Sequence, residues 1–181
     1  MITADIKLPE GIYLDYLAYL FPIDAQSGFY QVSNTQTLGK LCVALVEETP
    51  DGRKPLGPET FRERACRCVT LQLPKLRSIQ ALDGKWLYYS PESTERIQYV
   101  LAASFDLDFL SYYQRGMFLG RQKKEIVEAF IISRQLCGPD PFDALHKRVY
   151  RMEQKKMQLL SGQLMRKAAY FDEKINTKGL L

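Results

Sequence analysis

Between Thr49 and Pro58 the chain reads TPDGRKPLGP, with three prolines and two glycines in ten residues. Proline locks φ and removes a backbone donor, and glycine adds chain entropy, so no helix or interior strand crosses such a stretch. The fold must therefore be assembled from the segment before this loop and the longer segment after it. An exposed arm or a subdomain border is expected here.

In the first segment, Asp5-Ile6-Lys7-Leu8-Pro9 alternates like a short strand and is stopped by its proline. Ile12, Tyr13, Tyr16, Leu17 and Leu20 then recur at helical spacing, and the pattern ends before Pro22. Phe29, Tyr30 and Val32 form a brief extended piece. Ser33, Asn34 and Thr35 are good helix starters ahead of a stripe of Leu38, Leu41, Cys42, Leu45 and Val46, so a second helix is expected to end near Thr49. After the loop, Cys68 to Leu73 alternates with period two and Lys85 to Tyr89 is aromatic. These are expected to be antiparallel partner strands.

The rest of the chain carries helical signals. Ser90-Pro91 is an N-cap followed by proline at the first helical position, leading into Ile97, Val100, Leu101 and Phe105. Asp106-Leu107-Asp108 suggests a kink or a new start before Phe109, Leu110, Tyr113 and Met117. Gly116 to Gly120 reads as a turn, and Ile126, Val127, Phe130 and Ile131 mark a helix ending at Cys137-Gly138-Pro139. A last helix from Pro141 to about Asn176 would span about 50 Å. Phe142, Leu145, Val149, Met152, Leu159 and Leu160 form its seam, which Lys156 and Gln163 interrupt and Gly162 divides.

Several chemistries find no support. With one histidine, His146, and four cysteines, Cys42, Cys66, Cys68 and Cys137, no pair of CxxC or HxxxH motifs can be assembled locally. Cys66 and Cys68 are read as small apolar fillers, Cys42 as core, and His146 as part of a solvated helix face. GxxxxGK[ST], GxGxxG, GxSxG and HExxH are all absent. Glu125, Glu128, Asp106 and Asp108 sit at spacings expected of helix-surface charges. No catalytic residue, metal site or cofactor is expected, nor is a membrane span or signal peptide. A cytoplasmic protein is expected.

The formal net charge of +4 is unevenly distributed. Residues 111–181 hold 14 Lys plus Arg against 7 Asp plus Glu, a net of +7, leaving 11 against 14, or −3, for the remainder. Cations of this density suit phosphate backbones, because neutralising each phosphate releases condensed counterions. Arg121, Lys123 and Lys124 crowd a helix N-terminus, where the macrodipole disfavours cations and a phosphate would relieve the conflict. A helix over 107–115, a glycine turn over 116–120 and a helix over 122–135 follow the order of a helix-turn-helix. Gln122, Lys123 and Glu125 would then face a groove, with Tyr112, Tyr113 and Arg115 nearby. At the other end, a strand over 6–8 and two following helices resemble the order of ribbon-helix-helix DNA-binding proteins, which would make Lys7 a base reader. The long connection from Phe21 to Thr35 departs from that family's tight turn, and no membership follows.

The expected fold is α+β: a small antiparallel sheet in the N-terminal half packed by helices, and a predominantly helical C-terminal half with a long basic terminal helix. Residues 1–89 would form the mixed region and 90–181 the helical one, either as two regions or as one continuous domain. The expected function is that of a non-enzymatic nucleic-acid-binding accessory or regulatory protein. Its contacts to double-stranded DNA phosphates would come from Arg115, Arg121, Lys123, Lys124, Lys147, Arg148, Arg151, Lys155 and Lys156. The alternative is a protein-interaction or structural module that forms a homodimer through the C-terminal helix and binds no nucleic acid.

Overall fold

A computed structural model describes residues 2–49, 66–138 and 140–178. The chain divides into two compact units, Met1–Pro141 and Phe142–Leu181. In chain order the first contains β1 (Thr3–Pro9), α1 (Ile12–Leu20), β2 (Tyr30–Gln31), α2 (Thr37–Ala44), β3 (Glu47–Glu48), β4 (Cys66–Gln72), α3 (Arg77–Gln80), β5 (Leu87–Tyr88), α4 (Pro91–Phe118) and α5 (Lys123–Ser133). The helix α6 (Pro141–Lys178) follows. All of the 49–58 loop except Thr49 lies outside the described residues. Thr49 itself is anchored, its N–H donating to the Trp86 carbonyl at 2.9 Å.

The architecture is α+β, but the sheet is mixed rather than antiparallel. Its five strands lie in the order β2-β4-β1-β5-β3. β1 pairs antiparallel with β4 over seven residues, from Thr3 opposite Gln72 to Pro9 opposite Cys66. Its other edge pairs in parallel with β5, Ala4 opposite Leu87 and Asp5 opposite Tyr88. β4 and β5, expected as partners of one another, therefore lie on opposite sides of β1. Alternation explains the central place of β1: Ala4, Ile6 and Leu8 are all buried on one face, opposite Val69 and Leu71 of β4. On the other face Asp5 accepts a hydrogen bond from its cross-strand partner Thr70 at 2.7 Å. A strand enclosed on both edges is not a two-stranded ribbon, so the base-reading role considered for Lys7 has no structural counterpart.

Three local expectations are also corrected. Cys66 and Cys68 are exposed, not apolar fillers, because β4 turns Val69 and Leu71 inward. Cys42 is buried as expected. The second helix covers only Thr37–Ala44. The starters before it turn on themselves, Ser33 Oγ lying 2.8 Å from Thr35 Oγ1, and Glu47–Glu48 pairs with β5 instead of extending the helix.

α4 begins as its sequence predicts, with Ser90 as N-cap accepting from the Ser93 N–H and Pro91 in the first turn. It then passes through Asp106-Leu107-Asp108 without a break. Ile97, Leu101, Phe105, Phe109 and Tyr113, each four residues apart, form one buried line along it. Phe105 meets the edges or faces of Tyr13 and Tyr16 from α1 and Phe130 from α5, with ring centroids 5.6, 5.1 and 5.8 Å away. Edge-to-face geometry of this kind suits the ring quadrupoles and adds to the area term.

α4 and α5 form a helical hairpin. Gly116 lies within α4 and is not part of the turn: a Cβ there would come within 2.5 Å of Ile126 Cγ1, so the glycine lets the two helices approach. Gly120, with φ at +70°, makes the turn itself. α6 is a continuous helix, and Gly162 does not divide it. Among the described residues, no helix is long and apolar enough to cross a membrane.

Candidate functional site

The turn end of the α4–α5 hairpin holds a groove of about 440 Å³, lined by Tyr112, Arg115, Gly116, Leu119, Arg121, Glu125, Ile126 and Ala129. Leu119, Ile126, Ala129 and the Tyr112 ring supply apolar walls. Two guanidinium groups and one carboxylate supply the charge. Arg115 Nη2 donates to Ser111 Oγ, one turn back, at 3.0 Å. The Glu125 carboxylate reaches back to the start of its own helix and accepts from the Gln122 backbone N–H at 3.4 Å. With the Gln122 side chain accepting from the Glu125 N–H, this makes a reciprocal capping box.

That box bears on the helix-dipole argument. Glu125 already places negative charge at the α5 N-terminus, and Lys124 pairs loosely with Glu128 at 3.8 Å. The cations there need no outside phosphate to offset the dipole. Beside them the chain exposes a run of apolar side chains: Met117 is 42%, Phe118 90% and Leu119 71% exposed. The sequence pattern identified this stretch only as a turn.

Deeper in the hairpin lies an ion pair that spacing did not reveal. Arg134 donates from Nε to Asp108 Oδ2 at 2.8 Å and from Nη2 to Asp108 Oδ1 at 3.0 Å. Its guanidinium carbon stands 4.6 Å from the centre of the Tyr19 ring. The Tyr16 hydroxyl donates to the same carboxylate at 3.3 Å. Burial and the Asp108 charge push the Tyr16 phenol above its usual range, and the bond to Asp108 raises Arg134 further. Asp108 is thus an anchor between α4 and α5, not the surface charge expected from its spacing. Asp15 does similar work, accepting from the Cys137 and Gly138 N–H groups at 2.9 and 2.7 Å. None of these groups forms a nucleophile with its base.

The remaining cations named from sequence are on α6. Lys147, Arg151 and Lys155 are four residues apart, and Arg148 is three before Arg151, so helical periodicity gathers all four on one face. Lys147 also pairs with Asp143 at 3.4 Å, and both are exposed. Lys156 falls on another face, in line with Met152 and Leu160. His146 is exposed and stacks on the Phe142 ring at 5.8 Å. Farther along, Met157, Leu160 and Leu164 share a stripe and are 68%, 44% and 66% exposed.

Eight of the nine sequence-named cations therefore fall into two sets, Arg115, Arg121, Lys123 and Lys124 at the hairpin end and Lys147, Arg148, Arg151 and Lys155 on one face of α6, while Lys156 lies apart on another face of α6. No group of three or more His, Cys, Asp or Glu side chains among the described residues is placed to hold a metal ion. No family model, curated protein or solved structure matches the chain.

Proposed function

We propose that this is a non-enzymatic nucleic-acid-binding accessory or regulatory protein whose phosphate contacts come from the basic face of α6. The observation that supports it is the line of Lys147, Arg151 and Lys155, with Arg148 beside it, on a single 38-residue helix. A row of cations one helical turn apart follows a phosphate backbone without needing a shaped pocket, and such contacts position a protein on a duplex without reading its sequence. The hairpin-end cations are assigned elsewhere, because they flank a run of exposed apolar side chains, Met117 to Leu119, that a phosphate backbone leaves unsatisfied.

The test is affinity for a short DNA duplex across a salt series. The parent should bind at low salt and weaken steeply as salt rises. Replacing Lys147, Arg151 and Lys155 with Gln should lower the slope of log K against log[salt] by about 2–3. No binding by the parent at low salt, or an unchanged slope in the variant, refutes the proposal.

One observation favours a second reading. The exposed stripe Met157, Leu160 and Leu164 suits a helix that packs against a second copy of itself. Light scattering on the same samples separates the two readings: a dimer mass abolished by replacing these three residues with Gln, together with no DNA affinity, supports the interaction module.

A further inference from the structure

We propose that the groove at the turn end of the α4–α5 hairpin docks an acidic segment of a partner protein, which seats a large apolar side chain in the groove and sets its carboxylates against Arg115 and Arg121. Charge gives the sign of the partner. Residues 115–124 contain Arg115, Arg121, Lys123 and Lys124 and no acid. The one acid lining the groove, Glu125, is turned to the N-cap of its own helix. Arginine pairs carboxylates in a planar, two-pronged geometry, which fixes a peptide's direction as well as its charge.

Shape gives the rest. A volume of about 440 Å³ is within the range of built ligand sites, and its walls are the apolar faces of Leu119, Ile126 and Ala129 with the Tyr112 ring. Leu119 of the lining is 71% exposed and Phe118, the residue before it in the chain, is 90% exposed, an apolar shelf of the kind that marks interaction sites on soluble proteins. A duplex backbone would use the guanidinium groups and leave the shelf in water. A lipid surface would take up the shelf and leave the concave cavity unfilled. An acidic segment with one aromatic or aliphatic anchor uses both.

The experiment is selection of a random twelve-residue peptide library on the full chain, followed by anisotropy titration with the fluorescein-labelled winner. The expected winners combine several Asp or Glu with a Phe, Leu or Trp. Phe118→Ser, and separately Arg115→Glu with Arg121→Glu, should weaken binding tenfold or more while the melting curve of the Phe118 variant stays in place. The Lys147, Arg151 and Lys155 to Gln variant should bind the peptide like the parent, so the docking proposal and the nucleic-acid reading fail independently. Selection of sequences without acids, equal binding by the Phe118→Ser variant, or tighter Phe118-dependent binding to phosphatidylserine vesicles than to any selected peptide would overturn the proposal.

Discussion

Phe105 and Phe118 are the same residue on the same helix, yet one is 0% and the other 90% exposed. What separates them is the company α4 keeps along its length. At Phe105, α1 contributes Tyr13 and Tyr16, and α5 contributes Phe130. At Phe118 the helix is ending and the chain is turning toward Lys123, with apolar Leu119 also largely uncovered. A hydrophobic side chain stabilises a fold only where other elements arrive to cover it. Left uncovered beside four cations, it belongs to the docking surface proposed above. One helix thus has a covered stretch and an uncovered end, and each can be tested.

The largest effect is expected at the buried end. Phe105→Ala removes a ring enclosed on three sides and should destabilise the first unit by about 3–5 kcal/mol, measured by denaturant unfolding followed by circular dichroism. A cost below about 1 kcal/mol would mean that the aromatic cluster relaxes around the gap and that the contrast with Phe118 is overstated.

A smaller effect should come from alkaline pH, which reaches buried groups of the first unit, Tyr16 beside Phe105 among them, and leaves Phe118 alone. Tyr16 is raised above its ordinary value of 10.0 by burial and the Asp108 charge. Cys42 is pushed by burial from 9.0 to about 12, and Tyr89, whose hydroxyl donates to the Cys42 carbonyl at 3.0 Å, is raised as well. In each case the folded state holds the proton more tightly than the unfolded state. The stabilisation is complete below the unfolded value and lost as pH rises through the folded one. The urea midpoint should be flat to about pH 9 and fall beyond it, and Tyr16→Phe should flatten part of the fall above pH 10. A midpoint unchanged to pH 11 would contradict the burial assigned to these groups.

The smallest effect on stability belongs to the exposed end. Phe118→Ser should leave unfolding within about 0.5 kcal/mol of the parent, as expected for a surface position without special backbone. A loss as large as that of Phe105→Ala would show that Phe118 is covered in the folded protein, and the two halves of α4 would no longer differ.

Much of the helical framework was legible in the sequence, because helices announce themselves locally. Ser90-Pro91 marked the start of α4, and the spacing of Ile97, Leu101 and Phe105 marked its inner face. The sheet was legible only in part. The alternation in β1 and β4 identified strands, but the two residues of β5 pair with β1 instead of β4, and nothing within those segments encodes which neighbour lies alongside. Pairing is a contest among all available edges, decided by which arrangement buries Ala4, Ile6, Leu8, Val69 and Leu71 together. The candidate groove was half legible: Arg115 and Arg121 stood out by charge, while the exposed shelf at Phe118 did not, since Gly116 to Gly120 reads only as a turn and exposure is not written in a short apolar run.

From the sequence alone come the amphipathic spacing of α1, α4 and α5, the row of cations along α6, and a cysteine and histidine content too sparse for a local zinc motif. These depend on composition and on periods of two or about four residues, which a chain carries before it folds. Only the tertiary structure decided that the sheet is mixed, that Asp108 and Arg134 anchor two helices, that Cys66 and Cys68 face outward, and that Phe118 stays uncovered. Each of those depends on which distant segment arrives beside a given residue, and burial and ion pairing are properties of that encounter, not of the residue itself.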